Sequence, residues 1–563
     1  MFKCNLNSHK FQIISKNAHM SGSGKLQGNI VDIHERRIFH GELTFENGKI
    51  TELLKLGDEA PGETYLLPGF IDAHIHIESS MLTPYEFAKK ALTHGTIATI
   101  SDPHEIANVC GMEGVRFMME NAQGAGLRFC FGAPSCVPAT AFETAGAEIT
   151  AADIEWLLSQ KEILYLSEMM NYPGVLFKDP MVMEKIAIAH RFGKPVDGHA
   201  PGLQGEQAIQ YIEAGISTDH ECFTLDEALH KVNNGMKILI REGSAARNFD
   251  ALHPLLQSHP SMVMFCSDDK HPDELMTGHI NKIVARAVAL GYDLFDVLRC
   301  ASINPISHYK IPAGCLRIGD PADFIISGNL KEFDVVATYV DGFCLSENGQ
   351  SKLSEKNQTP INHFMPYEIQ TKDLELYGQA GKFLVIDAID GQLVTKCSIH
   401  DTKGGVLSSD IGSDILKLVV VNRYKQSKPA VAFIRNIGIK SGAFASTVAH
   451  DSHNIIAVGV HDEAITKAVN ALMESQGGLC VINEGNADVL PLPVAGLMSL
   501  DPCEVVAKDY ERLDAQVKQM GCKLRAPFMT LSFMALLVIP EIKLSDLGLF
   551  DGSFFKFIPI QPE

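Results

Sequence analysis

The chain has 563 residues, of which 46% are hydrophobic and 21% charged, and its formal net charge is −20. This length is too great for one ordinary domain, so we expect two or three domains. The negative charge argues against a nucleic-acid partner, because proteins that bind a phosphate backbone carry a basic surface.

The cysteines and the apolar runs indicate a cytoplasmic protein. The 13 cysteines are scattered, with no Cys-x-x-Cys pair, which is typical of reduced thiols rather than of a disulfide framework. Residues 1–20 lack the apolar core and the cleavage site of a secretory peptide. The longest apolar run, Phe528–Ile539, is too short to cross a bilayer and predicts a buried strand or core helix.

Segments with the residue pattern of β-strands lie on both sides of the central region, residues 68–306. Asn29–Leu67 alternates apolar and polar residues around turns such as Glu46–Gly48, and Ile311–Leu345 has the same character. We expect residues 25–67 and 307–350 to form one small flanking β-sandwich, built from the two ends of the central region.

The central region, residues 68–306, alternates short runs rich in Val and Ile with helical patterns. Eight β-α units of this length predict a (β/α)8 TIM barrel. The candidate strands are Phe70–His76, Thr96–Ser101, Leu127–Gly132, Ile163–Glu168, Pro195–His199, Ile216–His220, Lys237–Arg241 and Met262–Asp268.

Several helices of this region have predictable ends. Thr83–Glu86 and Thr224–Glu227 have the Thr-x-x-Glu pattern of a capping box at the start of a helix. Gly95, Gly193 and Gly215 are expected just after helix C-termini, where a left-handed backbone favours glycine.

The last part of the chain predicts a separate domain. A polar stretch, Ser346–Gln358, is expected to be a linker, and residues 360–563 predict an α+β domain. In this domain His450–Asn454 forms a dense polar cluster inside apolar sequence. Three interpretations stay open for this cluster: a contribution to the functional site, a subunit interface, or a structural turn.

Six side chains that can bind metal fall at the C-terminal ends of candidate strands. In a closed barrel these ends meet at one rim, where the active sites of such barrels form. A single buried histidine is usually a core residue, but six potential ligands at the same relative position on five strands predict one or two divalent transition metals, which imidazole and carboxylate both bind. The predicted ligands are His74, His76, Glu168, His199, His220 and Asp268.

This pattern resembles the amidohydrolase superfamily. "PGFIDAHIH" at the first strand, the histidines after strands five and six, the aspartate after strand eight and "IGDPADFII" after the barrel carry the resemblance. Many two-metal members bridge their ions with a carboxylated lysine after strand four, where this chain has Glu168, whose two oxygens need no added CO₂. That glutamate, "DPHEIANVCG", "REGSAARN" and the C-terminal "TVAHDSHN" and "LPLPVAGLMS" are similar to the bacterial adenine deaminase family.

The resemblance implies a hydrolase of purine salvage that converts adenine to hypoxanthine and ammonia with a metal-activated hydroxide. It implies two divalent ions, Mn²⁺ or Fe²⁺, with Zn²⁺ possible, and adenine as the small-molecule partner. We expect no nucleic-acid or membrane partner and a homo-oligomer, a dimer. Asp268 is expected to orient the hydroxide and to carry its proton to the leaving amine.

Other residues near the rim have more than one interpretation. The ring must also be protonated, and the candidate acids are Glu78, Glu105, Glu242 and Asp269. His104 can be interpreted as a substrate contact, as a further metal ligand, or only as a loop residue. Arg241 can be interpreted as a contact for the base or as the partner of a neighbouring acid in an ion pair.

Two alternatives to this function remain. Another amidohydrolase, acting on a cyclic amide or an N-acetyl sugar, would have the same barrel and metals. A non-catalytic barrel scaffold is the second alternative, although a scaffold has no physical need for all six ligands.

Overall fold

The computed structural model describes residues 22–562. The predicted absence of a secretory peptide concerns residues 1–20, which lie outside the described residues. None of the helices in the described part of the chain combines the length and the apolarity that a bilayer span requires.

The central region is a closed barrel of parallel strands. Five strands form one sheet and three form another, and parallel bridges from Val196 to Ile216 and from Ile75 to Asp268 join the two sheets at both seams. All eight predicted strands are confirmed. They are Phe70–Ile75, Thr96–Ser101, Arg128–Ala133, Ile163–Met169, Val196–Gly198, Thr218–Asp219, Lys237–Arg241 and Val263–Cys266.

The barrel strands are rich in Val, Ile and other apolar residues because both of their faces are covered, one by the barrel interior and one by the helices outside. The helices of this region are Pro84–Ala91, His104–Ala122, Ala151–Ser159, Tyr172–Leu176, Pro180–Arg191, Gly205–Glu213, Leu225–Asn233, Phe249–Leu252, Leu255–Ser258, Pro272–Thr277, Ile280–Ala289, Leu294–Ala301 and Ile303–Tyr309. Short 3-10 helices lie at Ile77–Ser80, Leu92–His94 and Pro260–Met262.

The predicted helix C-termini are confirmed, since Gly95, Gly193 and Gly215 have φ angles of +84°, +63° and +93°. Of the two predicted helix N-termini, only the one at Thr224 has the predicted hydrogen bond from the N-cap side chain. Thr224 Oγ1 accepts the Glu227 N–H at 3.3 Å.

The capping box predicted for Thr83–Glu86 was wrong. Thr83 directly precedes the helix, but its side chain makes no capping hydrogen bond. The Glu86 carboxylate accepts instead from Lys89 Nζ at 3.0 Å, one turn further along the same helix.

The flanking β domain is one eight-stranded sheet. The strand Tyr65–Pro68, which leads into the barrel, pairs antiparallel with Phe324–Ser327, which follows it. The sheet curls over its own apolar core, where the Phe45 ring lies 5.6 Å from that of Phe324. The remaining strands are Gly24–Asp32, Arg37–Glu46, Lys49–Asp58, Val335–Val340, Phe343–Glu347 and Gln350–Ser351.

The segment without helix or strand starts at residue 352, later than the linker predicted for Ser346–Gln358. The first residues of the predicted linker belong to the hairpin of Phe343–Glu347 and Gln350–Ser351, because the Asn348-Gly349 turn between them connects two strands. Residues 352–370 have no helix or strand. They pack on the barrel, where Lys356 Nζ donates to the carbonyls of Asn121 and Gln123 at 2.7 and 2.9 Å.

The C-terminal region is an α+β unit. Its longest apolar run forms a buried helix, Pro527–Ser532, followed by a 3-10 turn, Phe533–Ala535. Its other helices are Asp462–Ser475 and Cys503–Gln519, with a short 3-10 helix at Thr371–Leu374. Its strands are Leu376–Asp387, Lys396–Leu407, Ile415–Val421, Ala430–Arg435, Ala443–Ser446, Ile455–Gly459, Gly478–Asn483, Asn486–Pro491, Ile542–Ser545, Gly548–Asp551 and Lys556–Phe557.

Candidate metal centre and active-site cavity

The six predicted metal ligands meet at one end of the barrel. All six side chains are buried, and each follows or ends a barrel strand, so the parallel arrangement of the strands brings them to one rim. The His74 and His220 rings are stacked with their centroids 4.1 Å apart. Residues distant in the sequence thus form one polar cluster.

Glu168 lies at the centre of this cluster. Its Oε1 lies 3.3 Å from His76 Nε2, and its Oε2 lies 2.6 Å from His199 Nδ1 and 3.2 Å from His220 Nε2. The two carboxylate oxygens therefore face different imidazoles, which is the arrangement that a carboxylate bridging two cations needs.

His74, His76 and Asp268 form the other side of the cluster. The two Nε2 atoms are 3.2 Å apart, and Asp268 Oδ1 lies 3.6 Å from the first and 3.3 Å from the second. The Asp268 N–H donates to the His74 carbonyl at 2.9 Å, which fixes the end of strand eight against strand one. Asp268 has a φ of +53°, a conformation that aspartate adopts more readily than most residues.

The donor set fits a divalent metal. In the described residues, ligand atoms of His74, His220 and Asp268 lie within 4.8 Å of one another, and so do those of Glu168, His199 and His220. Burial raises the pKa of Glu168, but the nearby imidazoles, His199 foremost, hold it well below its usual range. The carboxylate is therefore ionised, as a metal ligand must be. His199 Nε2 is buried without a hydrogen-bond partner.

Arg241 pairs with two acids of the site. Its Nη1 lies 2.6 Å from Asp268 Oδ2, and its Nη2 lies 3.1 Å from Glu221 Oε2. Burial raises the pKa of Asp268, while Arg241 and the imidazoles hold it well below its usual range. The structure therefore contains the ion pair that was one of the two interpretations of Arg241.

Glu221 is a site residue that the sequence predictions missed. Its Oε1 lies 3.4 Å from His220 Nε2 and 3.8 Å from His199 Nδ1. The available signal was its place directly after a predicted ligand at a strand end.

The C-terminal region contributes to the same site. His450 Nδ1 lies 2.5 Å from Glu105 Oε1, and His453 Nε2 contacts Glu105 Oε2. Burial lowers the pKa of His450, but the Glu105 carboxylate raises it to about 9 overall. The cluster at 450–454 thus reaches across to the barrel rim.

His104 lies between the metal ligands and Glu105. Its Nδ1 is 3.6 Å from Glu168 Oε1 and 3.2 Å from Asp102 Oδ2, and its Nε2 is 3.5 Å from Glu105 Oε1. It is therefore placed for contact with either a metal or a substrate.

A small cavity of about 20 Å³ lies above the cluster, well below the usual range for small-molecule sites, roughly 300–1,000 Å³. Its apolar wall consists of Met170 from the barrel and of Leu393, Phe533 and Leu536 from the C-terminal region. The predicted site residues that line it are His76, His104, Glu105, Glu168, His199, His220, Asp268 and Asp269.

Four predicted site residues do not line this cavity: His74 and Arg241, which contact residues that do line it, and Glu78 and Glu242. Glu78 Oε1 accepts the Ile106 N–H at 3.1 Å in the first turn of the helix that begins at His104, and burial raises its pKa to about 7. Glu242 Oε2 lies 2.9 Å from Arg286 Nη1 and lines a different cavity. Because adjacent residues of an extended chain point in opposite directions, Glu242 points away from the rim that Arg241 faces.

Comparisons with known proteins agree with this architecture. The amidohydrolase family model matches residues 65–344, and the model of the adenine deaminase C-terminal domain matches residues 392–556.

Three full-length relatives are also similar to this chain, and each is named adenine deaminase. The protein of Sulfurovum sp. is 52% identical over 95% of this chain and 99% of its own length. The protein of Salinibacter ruber is 49% identical over 96% of this chain and 99% of its own length. The protein of Methanosarcina mazei is 48% identical over 95% of this chain and 99% of its own length.

Proposed function

Because this chain belongs to the adenine deaminase family, we propose that it hydrolyses adenine to hypoxanthine and ammonia in purine salvage. The observation that carries the proposal is a buried cluster of imidazoles and carboxylates at the floor of a small cavity. A cavity lined in this way suits a planar base, because its apolar wall can cover one face of the ring while the polar floor contacts the reacting atoms.

Two divalent ions, Mn²⁺ or Fe²⁺ with Zn²⁺ possible, are proposed for the cluster. His74, His76 and Asp268 would hold one ion and His199 and His220 the other, with Glu168 shared between them, as the opposed contacts of its two oxygens suggest. When bound, such ions lower the pKa of water and polarise it for attack.

Asp268 is proposed to move the proton of the attacking water to the leaving amine. Arg241 holds Oδ2, while Oδ1 faces the cluster. The carboxylate is therefore oriented and ionised, as a general base must be, and once protonated it can act as the general acid.

Glu105 is proposed to relay to the ring a proton taken from His450. Burial raises the pKa of Glu105, but His450 and the neighbouring imidazoles hold it well below its usual range, so the carboxylate is ionised until it accepts that proton. Of the four candidate acids, Glu105 and Asp269 line the cavity. Asp269 Oδ1 accepts from Ser79 Oγ at 2.5 Å, whereas Glu105 contacts His450, which can resupply a proton. His104, beside Glu105, is proposed as a substrate contact.

The organisation of the chain is part of the same proposal. We infer a β domain of residues 25–67 and 307–350, a barrel domain of residues 68–306 and a C-terminal domain of residues 360–563. We also infer a cytoplasmic dimer. Free cysteines throughout the described residues support the cytoplasmic location. The exposed apolar side chains of Phe177 and Met181, four residues apart in the sequence and 87% and 55% exposed, support the dimer.

The function is tested by loading the purified protein with Mn²⁺ or Fe²⁺ and incubating it with adenine, adenosine or cytosine. Ammonia and hypoxanthine should be formed from adenine. Equal consumption of adenosine would refute the assignment to the free base, and release of product only from a cyclic amide or an N-acetyl sugar would favour the other amidohydrolase. Protein that binds no divalent metal would favour the scaffold.

A further inference from the structure

Lys543 is a buried lysine behind the apolar wall of the cavity. Its exposed fraction is 0%, and its Nζ donates to the carbonyls of Leu393 and Phe533, the second at 2.9 Å. No carboxylate of residues 22–562 forms an ion pair with it, and burial lowers its pKa to about 7. Burying such a group without an ionic partner is unfavourable unless its hydrogen bonds are satisfied.

The two carbonyls belong to segments that are far apart in the sequence, at separations of 150 and 10 residues from Lys543. Both acceptor residues line the cavity. Neighbouring contacts support the same junction, since Thr395 Oγ1 donates to the Ile542 carbonyl at 2.9 Å. The lysine therefore joins the two segments that carry most of the C-terminal part of the wall.

The wall also borders the polar part of the site. The Phe533 ring lies 5.4 Å from the His450 ring, at an interplanar angle of 31°, and His450 contacts Glu105. A shift of the Phe533 segment would therefore change both the shape of the cavity and the position of the Glu105–His450 pair.

We propose that Lys543 is a positioning residue that fixes the wall formed by Leu393, Phe533 and Leu536, and that this wall selects a flat, unsubstituted base over a nucleoside. The inference rests on the proposed function, because it concerns the substrate of that reaction. The side chains of the wall offer apolar contacts to a ring, and hydroxyl groups of a sugar buried against them would lack hydrogen-bond partners, which is unfavourable.

The test compares wild type with Lys543→Met, which keeps an unbranched side chain, one atom shorter, and leaves both carbonyls without their donor. We expect KM for adenine to rise by about tenfold while kcat changes by less than about threefold, because small misplacements distant from the chemistry weaken substrate positioning. The ratio of adenosine to adenine turnover should rise, metal content should stay at the wild-type level, and Lys543→Arg should restore part of the affinity.

Lys417→Met is the matched control. Lys417 is also buried in the C-terminal region and donates to the Leu374 carbonyl at 3.0 Å, but it does not line or support the cavity. The Lys417→Met substitution should lower the free energy of unfolding without a change in KM. If Lys543→Met does not fold, Phe533→Leu, which reshapes the wall directly, should raise KM and the adenosine ratio.

The outcomes separate this inference from the proposed function. Wild-type protein that releases no ammonia from adenine would refute the function itself. Active wild type together with folded Lys543→Met and Phe533→Leu proteins that keep the wild-type KM and substrate ratio would refute the inference alone.

Discussion

Asp268 combines three contacts that together define its proposed chemistry. Arg241 orients one oxygen, the histidines of strand one face the other, and the backbone N–H is fixed to the His74 carbonyl. A side chain held in this way can exchange a proton without first changing its conformation. These contacts support the two roles proposed for Asp268, proton transfer and metal binding.

Asp268→Asn should reduce turnover of adenine by about 10²–10⁴-fold, the contribution typical of general acid-base catalysis. Because the remaining five ligands are unchanged, metal content should stay close to that of wild type. Ammonia release and elemental analysis of the same preparation measure both effects. Asp250→Asn, at a carboxylate that is 88% exposed, is the control, and an active Asp268→Asn protein would rule out the proton-transfer role.

Glu168→Gln should lower metal occupancy, because an amide has one acceptor oxygen and no charge, whereas the carboxylate uses both oxygens. Elemental analysis after dialysis against a weak chelator measures the loss. Glu143→Gln is the matched control, since burial raises the pKa of Glu143 to about 8 and most of its carboxyl groups are therefore uncharged at pH 7. Full metal content in Glu168→Gln would contradict the bridging role.

At the scale of the elements, the barrel strands are short and the site residues follow them directly. His199 and His220 come one residue after strands Val196–Gly198 and Thr218–Asp219. Each strand must therefore be anchored by the helix that precedes or follows it. Helix capping near these strands contributes to stability without contributing to the chemistry.

Asp179→Ala should destabilise the protein by about 1 kcal/mol, the usual cost of losing an N-cap. The Asp179 carboxylate accepts the N–H groups of Met181 and Val182 at 2.9 and 3.2 Å, at the start of the helix Pro180–Arg191. Urea denaturation measures the change, and kcat should stay at the wild-type value. Asp179→Ser retains an acceptor and should recover most of the stability; equal loss in both variants would exclude capping as the cause.

At the scale of the whole molecule, the site lies at a junction between the barrel and the C-terminal region. Glu105 and His450 are separated by 345 residues in the sequence, and the wall of the cavity comes mainly from the C-terminal region. The C-terminal region is thus part of the site rather than an independent appendage.

The buried Lys543 should make stability depend on pH. Its pKa is about 7 in the folded protein against 10.5 for an ordinary lysine, so between these values the unfolded chain binds one proton more than the folded chain. Above pH 10.5 the lysine is neutral in both states, and its burial costs no ionisation energy. As pH falls from 10.5 toward 7, the unfolded chain takes up the proton first, so the free energy of unfolding decreases. The free energy of unfolding of wild type, relative to Lys543→Met, should rise by up to about 1.4 kcal/mol per pH unit in this range.

Urea denaturation of both proteins from pH 6.5 to pH 9.5 checks this dependence. Lys417→Met is again the control, because the ammonium of Lys417 has a carboxylate partner in Asp462. A constant difference between wild type and Lys543→Met across the range would mean that Lys543 stays charged when buried.

Sequence patterns alone were enough to predict the order of the barrel strands and the clustering of the six candidate metal ligands. Both depend on local patterns: strand periodicity gives each element, and parallel strands bring all their C-terminal ends to one rim. Ligands such as His74 and His220 could therefore be placed together without knowledge of any long-range contact.

The partners of the other candidate residues could be identified only from the three-dimensional structure. Glu242 pairs with Arg286, Glu78 accepts from the first turn of a helix, and Glu105 contacts histidines of the C-terminal region. These contacts depend on side-chain direction and on the docking of segments hundreds of residues apart. Neither is encoded in the spacing of residues along the chain, because each is fixed only when the separate hydrophobic surfaces have packed together.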